Sequence, residues 1–194
     1  TGIWPQRAFL HWRIQMANYV TALNRLYQAG ISPNLVERPR LEKHLQKVLN
    51  DVVKMRGLIT PASKETHIQK AIFEAIQTVS RNLVCMLELQ VNAYWVSRPG
   101  HFVMLNSRTL RETQQMTQQT LLTIAHALYE GNPQPIRANA EKLNEIVAEL
   151  RQLIKEHPGE NLSETPIHGY VWLTIEMARQ LELLSNLICR ALRK

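Results

Sequence analysis

Apolar residues recur at spacings of three and four along nearly the whole chain, and no stretch alternates with period two for long enough to build a sheet. Six helical segments follow from this pattern. The first covers about residues 5–29, with Phe9, Met16, Val20, Leu23 and Tyr27 in register and Gly30 as its stop. The second covers 39–56, with Leu41, Leu45, Val48, Leu49 and Val52 on one face and Gly57 at its end. A loop through Thr60-Pro61 is expected next, with Ser63 capping a long third segment over 64–97 and Thr60 as the alternative cap. Ile68, Ile72, Ala75, Ile76, Val79, Leu83, Met86, Leu87, Val91 and Tyr94 form its stripe, and Pro99-Gly100 terminates it.

The fourth segment starts near Ser107, where Thr109 and Glu112 have the spacing of a capping box and Ser107 competes for the cap, and it ends at Gly131. Its first half is polar: Gln114, Gln115, Gln118 and Gln119 precede Leu121, Leu122, Ile124 and Ala125. The fifth covers 136–156, with Leu143, Ile146, Val147, Leu150, Leu153 and Ile154 in register before the His157-Pro158-Gly159 stop. The sixth opens on Thr165-Pro166, a cap followed by proline in the first turn, and runs on to the end. The expected fold is therefore all-α, an antiparallel bundle of about six helices with the long first, third and sixth at its centre.

Composition narrows the class. With 194 residues, 45% apolar and 20% charged, the chain fits a single domain over 1–194 with an ordinary core. A chain of this size buries roughly 70% of its unfolded surface. Cys85 and Cys189 lie within apolar helical stretches and are expected as small core residues, without disulfide or zinc spacing, in a reducing compartment. No run of 18 apolar residues occurs, so no span is expected within these residues. The chain begins at Thr1 rather than Met, so a processed form or an excised fragment is expected, and a domain cut from a larger membrane protein also accounts for the bare Trp4-Pro5 start.

No catalytic, cofactor or metal constellation emerges. None of the seven histidines (His11, His44, His67, His101, His126, His157 and His168) has a glutamate three residues before it, and no His-Glu-x-x-His run exists. Glu141, Glu145 and Glu149 make an acidic ladder that reads as a solvated face. The glycines sit mainly at helix ends, not in a phosphate loop, and no hydroxyl or thiol has a nucleophile-elbow context. The net charge of +7 raises nucleic acid as a partner. Dispersed basic residues and single aromatics within helical stripes argue against it.

The basic residues at the two tips carry more weight. Arg7, His11 and Arg13 follow Trp4-Pro5, and Arg190, Arg193 and Lys194 close the chain. Trp favours the headgroup zone, and Lys and Arg favour the cytoplasmic side of a bilayer. Helix-dipole complementarity explains the last three equally well, but not Arg7 and Arg13 near the positive end of their helix. The set Arg7, Arg13, Arg190, Arg193 and Lys194 is therefore read as membrane-proximal, facing flanking transmembrane segments and anionic lipid.

The opening Trp4-Pro5-x-Arg7, followed by Leu10, Ile14, Tyr19 and Leu23, resembles the exit from a transmembrane block in the fusaric-acid-resistance family of aromatic-acid exporters. The segment from Thr165-Pro166-Ile167-His168-Gly169-Tyr170 through Leu192 is similar to the last helix of the soluble domain in such proteins. The resemblance implies a cytoplasmic helical domain of a bacterial inner-membrane transporter, with efflux of aromatic or other organic acids by the whole protein. It implies a role in assembly or gating and no chemistry of its own. A homo-oligomer is expected, with exposed faces of the second, fourth and fifth segments, and the Gln-rich face above all, as self-association surfaces. The rival reading is a free-standing helical regulator that binds a metal or a protein partner, resting on the acidic ladder.

Overall fold

The computed structural model describes residues 7–32, 36–96, 104, 107–156 and 165–193. Among these, seven helices occur: α1 (Ala8–Gly30), α2 (Glu42–Lys54), α3 (Arg56–Thr66), α4 (Lys70–Trp95), α5 (Arg108–Glu130), α6 (Gln134–Glu156) and α7 (Thr165–Ala191). The fold is all-α, as the periodicity predicts. The difference in number arises in one place, where α2 and α3 together form a single bent rod.

The expected stop at Gly57 and the expected cap at Ser63 are both incorrect. The chain breaks earlier, at Met55, whose backbone N–H still reaches Asp51 O and Val52 O, and Gly57 and Pro61 lie inside α3. Ser63 also lies inside α3, where its Oγ donates to Ile68 O at 2.6 Å. The real interruption is His67–Gln69, with His67 in the left-handed region at φ 59°. Thr66 Oγ1 accepts from Ile68 N there and donates to Ala62 O. Hydroxyls that offer the backbone such local partners compete with helix continuation, and neither Gly nor Pro is needed to end the run.

Cross-links between helices fix the direction of each rod. Trp12 meets Phe73 edge-on at 4.9 Å, the Tyr19 hydroxyl donates to Ser80 O at 2.6 Å, and Trp95 Nε1 donates to Gly30 O at 2.8 Å, so α1 and α4 run parallel. The Arg13 guanidinium reaches Tyr129 O and Gln28 reaches Gln118, so α5 is antiparallel to α1. Gln90 donates to Thr174 Oγ1 while Tyr94 packs on Tyr170 at 5.3 Å, so α7 is antiparallel to α4. Phe9 N donates to Glu65 Oε2, which brings the end of α3 to the start of α1. The rods α1, α2–α3, α4, α5, α6 and α7 thus alternate in direction.

Gly30 closes α1 as expected, but packing rather than turn geometry requires glycine there. A Cβ would lie 2.5 Å from Val91 Cγ2, and a branched side chain on α4 has little room to yield. Gly131 ends α5 at φ 67°, a conformation that side chains with a Cβ rarely adopt. Ser107 wins the contest for the α5 cap, its Oγ accepting from Leu110 N at 3.3 Å.

The core contains α1, α4 and α7, as expected, and also α5. Thr113, Gln114, Thr117 and Thr120 of its polar half are buried with Leu121, Ile124 and Leu128. Gln114 therefore belongs to the interior and not to an outer Gln-rich face. Its Nε2 donates to the Tyr170 hydroxyl at 2.9 Å. The hydroxyls of Thr113, Thr117 and Thr120 donate to carbonyls one turn back on their own helix. This satisfies them without a partner helix and lets them sit among apolar neighbours. Tyr27, Tyr94 and Tyr170 gather at the same level, and burial pushes the pKa of all three phenols upward, keeping them neutral.

This layer generates a stability prediction. Tyr170→Phe removes the hydroxyl that accepts from the Gln114 amide in the core and lowers unfolding free energy by about 1 kcal/mol in urea denaturation. Adding Gln114→Leu to Tyr170→Phe recovers part of that loss. Strict additivity of the two single changes would contradict the pairing.

Candidate membrane-facing end of the bundle

Because the rods alternate, the start of α1 and the end of α7 share one end of the bundle. That end also holds the α3–α4 junction and the α5–α6 turn. Arg7, Arg190 and Arg193 are all exposed there. Arg190 lies in the last turn of α7, where the helix dipole favours a cation. Trp4-Pro5 and Lys194 lie outside the described residues. Three of the five cations named from sequence therefore gather at one end with their side chains open to solvent.

Arg13 is used differently. It is half-buried, with Nη2 donating to Tyr129 O at 3.4 Å near the C-terminus of α5. Its guanidinium lies against Gly131, where it occupies the space that a Cβ would need, and 5.8 Å from the Phe9 ring centroid. A cation at a helix C-terminus satisfies a carbonyl and opposes the negative dipole end, and a guanidinium near an aromatic ring gains further attraction. Its charge is engaged within the bundle.

Beside the basic tips runs an apolar groove that the sequence reading did not identify. Leu10, Ile14, Leu58 and Pro61, with Arg7 and His11 at the rim, line an open cavity of about 720 Å³ between α1 and α3. Leu10 and Ile14 are 46% and 38% exposed. The signal was available in α1, where both lie off the buried Trp12, Met16 and Tyr19 face.

A second, more enclosed pocket of about 190 Å³ lies between α5, α6 and α7, lined in part by Thr120, Arg137, Asn139, Ser185 and Cys189. Asn139 Nδ2 donates to Thr120 Oγ1 at 2.9 Å. Burial pushes the Cys189 thiol pKa up, with Arg137 opposing, so the thiol is not poised as a nucleophile. Cys85, expected in the core, is exposed, since the α4 stripe passes through Leu83, Val84 and Leu87 and leaves residue 85 on the outer face.

The remaining candidates stay apart. Glu141, Glu145 and Glu149 are exposed along α6, and among the described residues no group of three or more His, Cys, Asp or Glu converges as a metal site. His11, His44, His67, His126 and His168 are exposed on separate elements, and His101 and His157 lie outside the described residues. Among the described residues, no helix is long and apolar enough to cross a membrane.

Over all 194 residues the chain is 70% identical to the inner membrane protein YeeA of Escherichia coli (strain K12), and it spans 55% of that protein's length. No protein-family model matches the chain. No solved structure matches it either.

The division of labour among the cations is testable by denaturation. Arg13→Ala lowers stability by about 1 kcal/mol through loss of the α5 end contact. Arg7→Ala, Arg190→Ala and Arg193→Ala each stay within ~0.5 kcal/mol of the parent chain. Equal effects at Arg13 and Arg7 would contradict the assignment.

Proposed function

We propose that this chain is a cytoplasmic helical domain of a bacterial inner-membrane protein, and that the end bearing Arg7, Arg190 and Arg193 faces the bilayer. The observation that carries the reading is the convergence of both basic tips on one end of the bundle. It is supported by the close likeness to an inner membrane protein that is nearly twice as long, given that no described helix here crosses a membrane. Cations at the exits of flanking spans suit the cytoplasmic leaflet, where anionic headgroups attract them. The exposed Leu10–Ile14 groove beside them suits contact with the membrane-embedded part of the same protein.

Within this reading the domain has no chemistry of its own and serves assembly or gating of a transporter of the fusaric-acid-resistance type. Export of aromatic or other organic acids would belong to the whole protein and rests on the resemblance of the Trp4-Pro5-x-Arg7 junction. Self-association would use outer faces such as that of Gln115 and Gln119 on α5, both exposed. Nucleic acid is not among the proposed partners.

Sedimentation with phosphatidylglycerol vesicles tests the orientation. At roughly 1 kcal/mol per basic residue near an anionic surface, Arg7→Gln/Arg190→Gln/Arg193→Gln weakens partitioning about 100-fold at low salt. The opposite-end triple Arg40→Gln/Lys43→Gln/Arg111→Gln leaves it nearly unchanged. A larger loss from the second triple would overturn the proposed orientation.

A further inference from the structure

The flank of the bundle formed by α3 and α4 carries a second basic feature, independent of the membrane-facing end. The break at Met55 starts α3 with Arg56 beside α4. Gln77, 8% exposed, ties the two rods together by donating from Nε2 to Val52 O at 2.6 Å. Above this tie lies a cavity of about 410 Å³ lined by Arg56, Thr60, Lys70, Glu74, Thr78 and Arg81, with Ile59 as its apolar contribution.

The charges in this cavity are unbalanced. Lys70 lies 3.8 Å from Glu74 on the same helix, an exposed pair that neutralises one cation. Arg56 and Arg81 come from different helices, and neither is ion-paired among the described residues. Two guanidiniums facing one cavity repel each other unless an anion lies between them, and their planar forks fit tetrahedral oxyanions in bidentate fashion. The Thr60 hydroxyl adds a neutral donor at the wall, whereas the Thr78 hydroxyl donates to Glu74 O on its own helix.

Chemistry selects the ligand class. A monocarboxylate with an apolar body would find almost no apolar wall here and would neutralise only one of the free arginines. A small, hydrophilic, multiply charged oxyanion satisfies both. We propose that the α3–α4 cleft binds a phosphoryl group bearing at least two negative charges, with Arg56 and Arg81 as its principal ligands and Lys70 and Thr60 in support. Two sources share this chemistry: a soluble diphosphate or phosphate monoester, and the phosphomonoester headgroup of a lipid. Lys70 begins α4 at the membrane-facing end, so the cleft opens along the bundle from that end toward its middle.

The test is calorimetric titration of the chain with inorganic pyrophosphate, and separately with vesicles containing phosphatidic acid. Pyrophosphate is expected to bind in the submillimolar range and to weaken about tenfold or more in Arg56→Ala and in Arg81→Ala. Both positions are exposed, and an unchanged melting midpoint checks that each variant stays folded. A phosphatidic-acid response that falls in the same two variants identifies a lipid headgroup as the source. A vesicle response indifferent to them, with pyrophosphate binding still sensitive, identifies a soluble ligand. Absence of pyrophosphate binding at millimolar concentration, or equal binding by the parent chain and both variants, overturns the proposal.

Discussion

Six rods that alternate in direction return the chain to the end from which it set out. That parity is the constraint from which the functional reading follows. An odd number of rods would place Arg7 and Arg193 at opposite ends of the bundle, and no single surface could meet both. The parity is held by particular contacts: Trp12 on Phe73, Trp95 to the Gly30 carbonyl, and Tyr94 on Tyr170. It also depends on α2 and α3 acting together as one descending rod. Had the break at Met55 reversed the chain, the count would have changed and the tips would have separated.

The two halves of the bundle are stabilised in different ways. Toward the tips the interior is apolar and aromatic, with Phe9, Trp12 and Phe73 stacked or edge-on. Toward the opposite end it holds three tyrosines, Gln90, Gln114 and a row of threonines. Apolar packing tolerates small slips between helices, whereas paired polar groups in a low-dielectric interior specify one register. The Gln90–Thr174 and Gln114–Tyr170 pairs thus fix the relative height of α4, α5 and α7 at the end farthest from the tips, and through these rigid rods they fix where the tips lie.

Most of the architecture was legible in the hydrophobic spacing, since stripes such as Met16, Val20, Leu23 and Tyr27 are buried as the pattern requires. The misread positions share a physical cause. Gly57 and Pro61 look like punctuation but are accommodated within α3, while the true break at His67 is made by serine and threonine hydroxyls that leave no strong compositional mark. Gln114 counts toward an outer Gln-rich face when polarity is taken without phase, although it shares a helical face with Leu110, Thr117 and Leu121. Of the five cations expected to face a membrane, Arg7, Arg190 and Arg193 share one end of the bundle with exposed side chains. The engagement of Arg13 with Tyr129 could not be read from sequence, because it depends on a contact 116 residues away. The α3–α4 cleft was likewise invisible, since Arg56 and Arg81 line one cavity only once α3 packs beside α4.

The orientation of the bundle on a bilayer can be measured directly. Single spin labels at Lys64 and Gln134, beside the tips, and at Glu42 and Arg108, at the opposite end, would be placed in a chain with Cys85 and Cys189 replaced by alanine. Collision with lipid-soluble oxygen and with a water-soluble nickel chelate on anionic vesicles reports which end meets lipid. The account predicts oxygen enrichment and nickel exclusion at residues 64 and 134 and full nickel access at 42 and 108. The reverse pattern, or the same access at both ends, would contradict it.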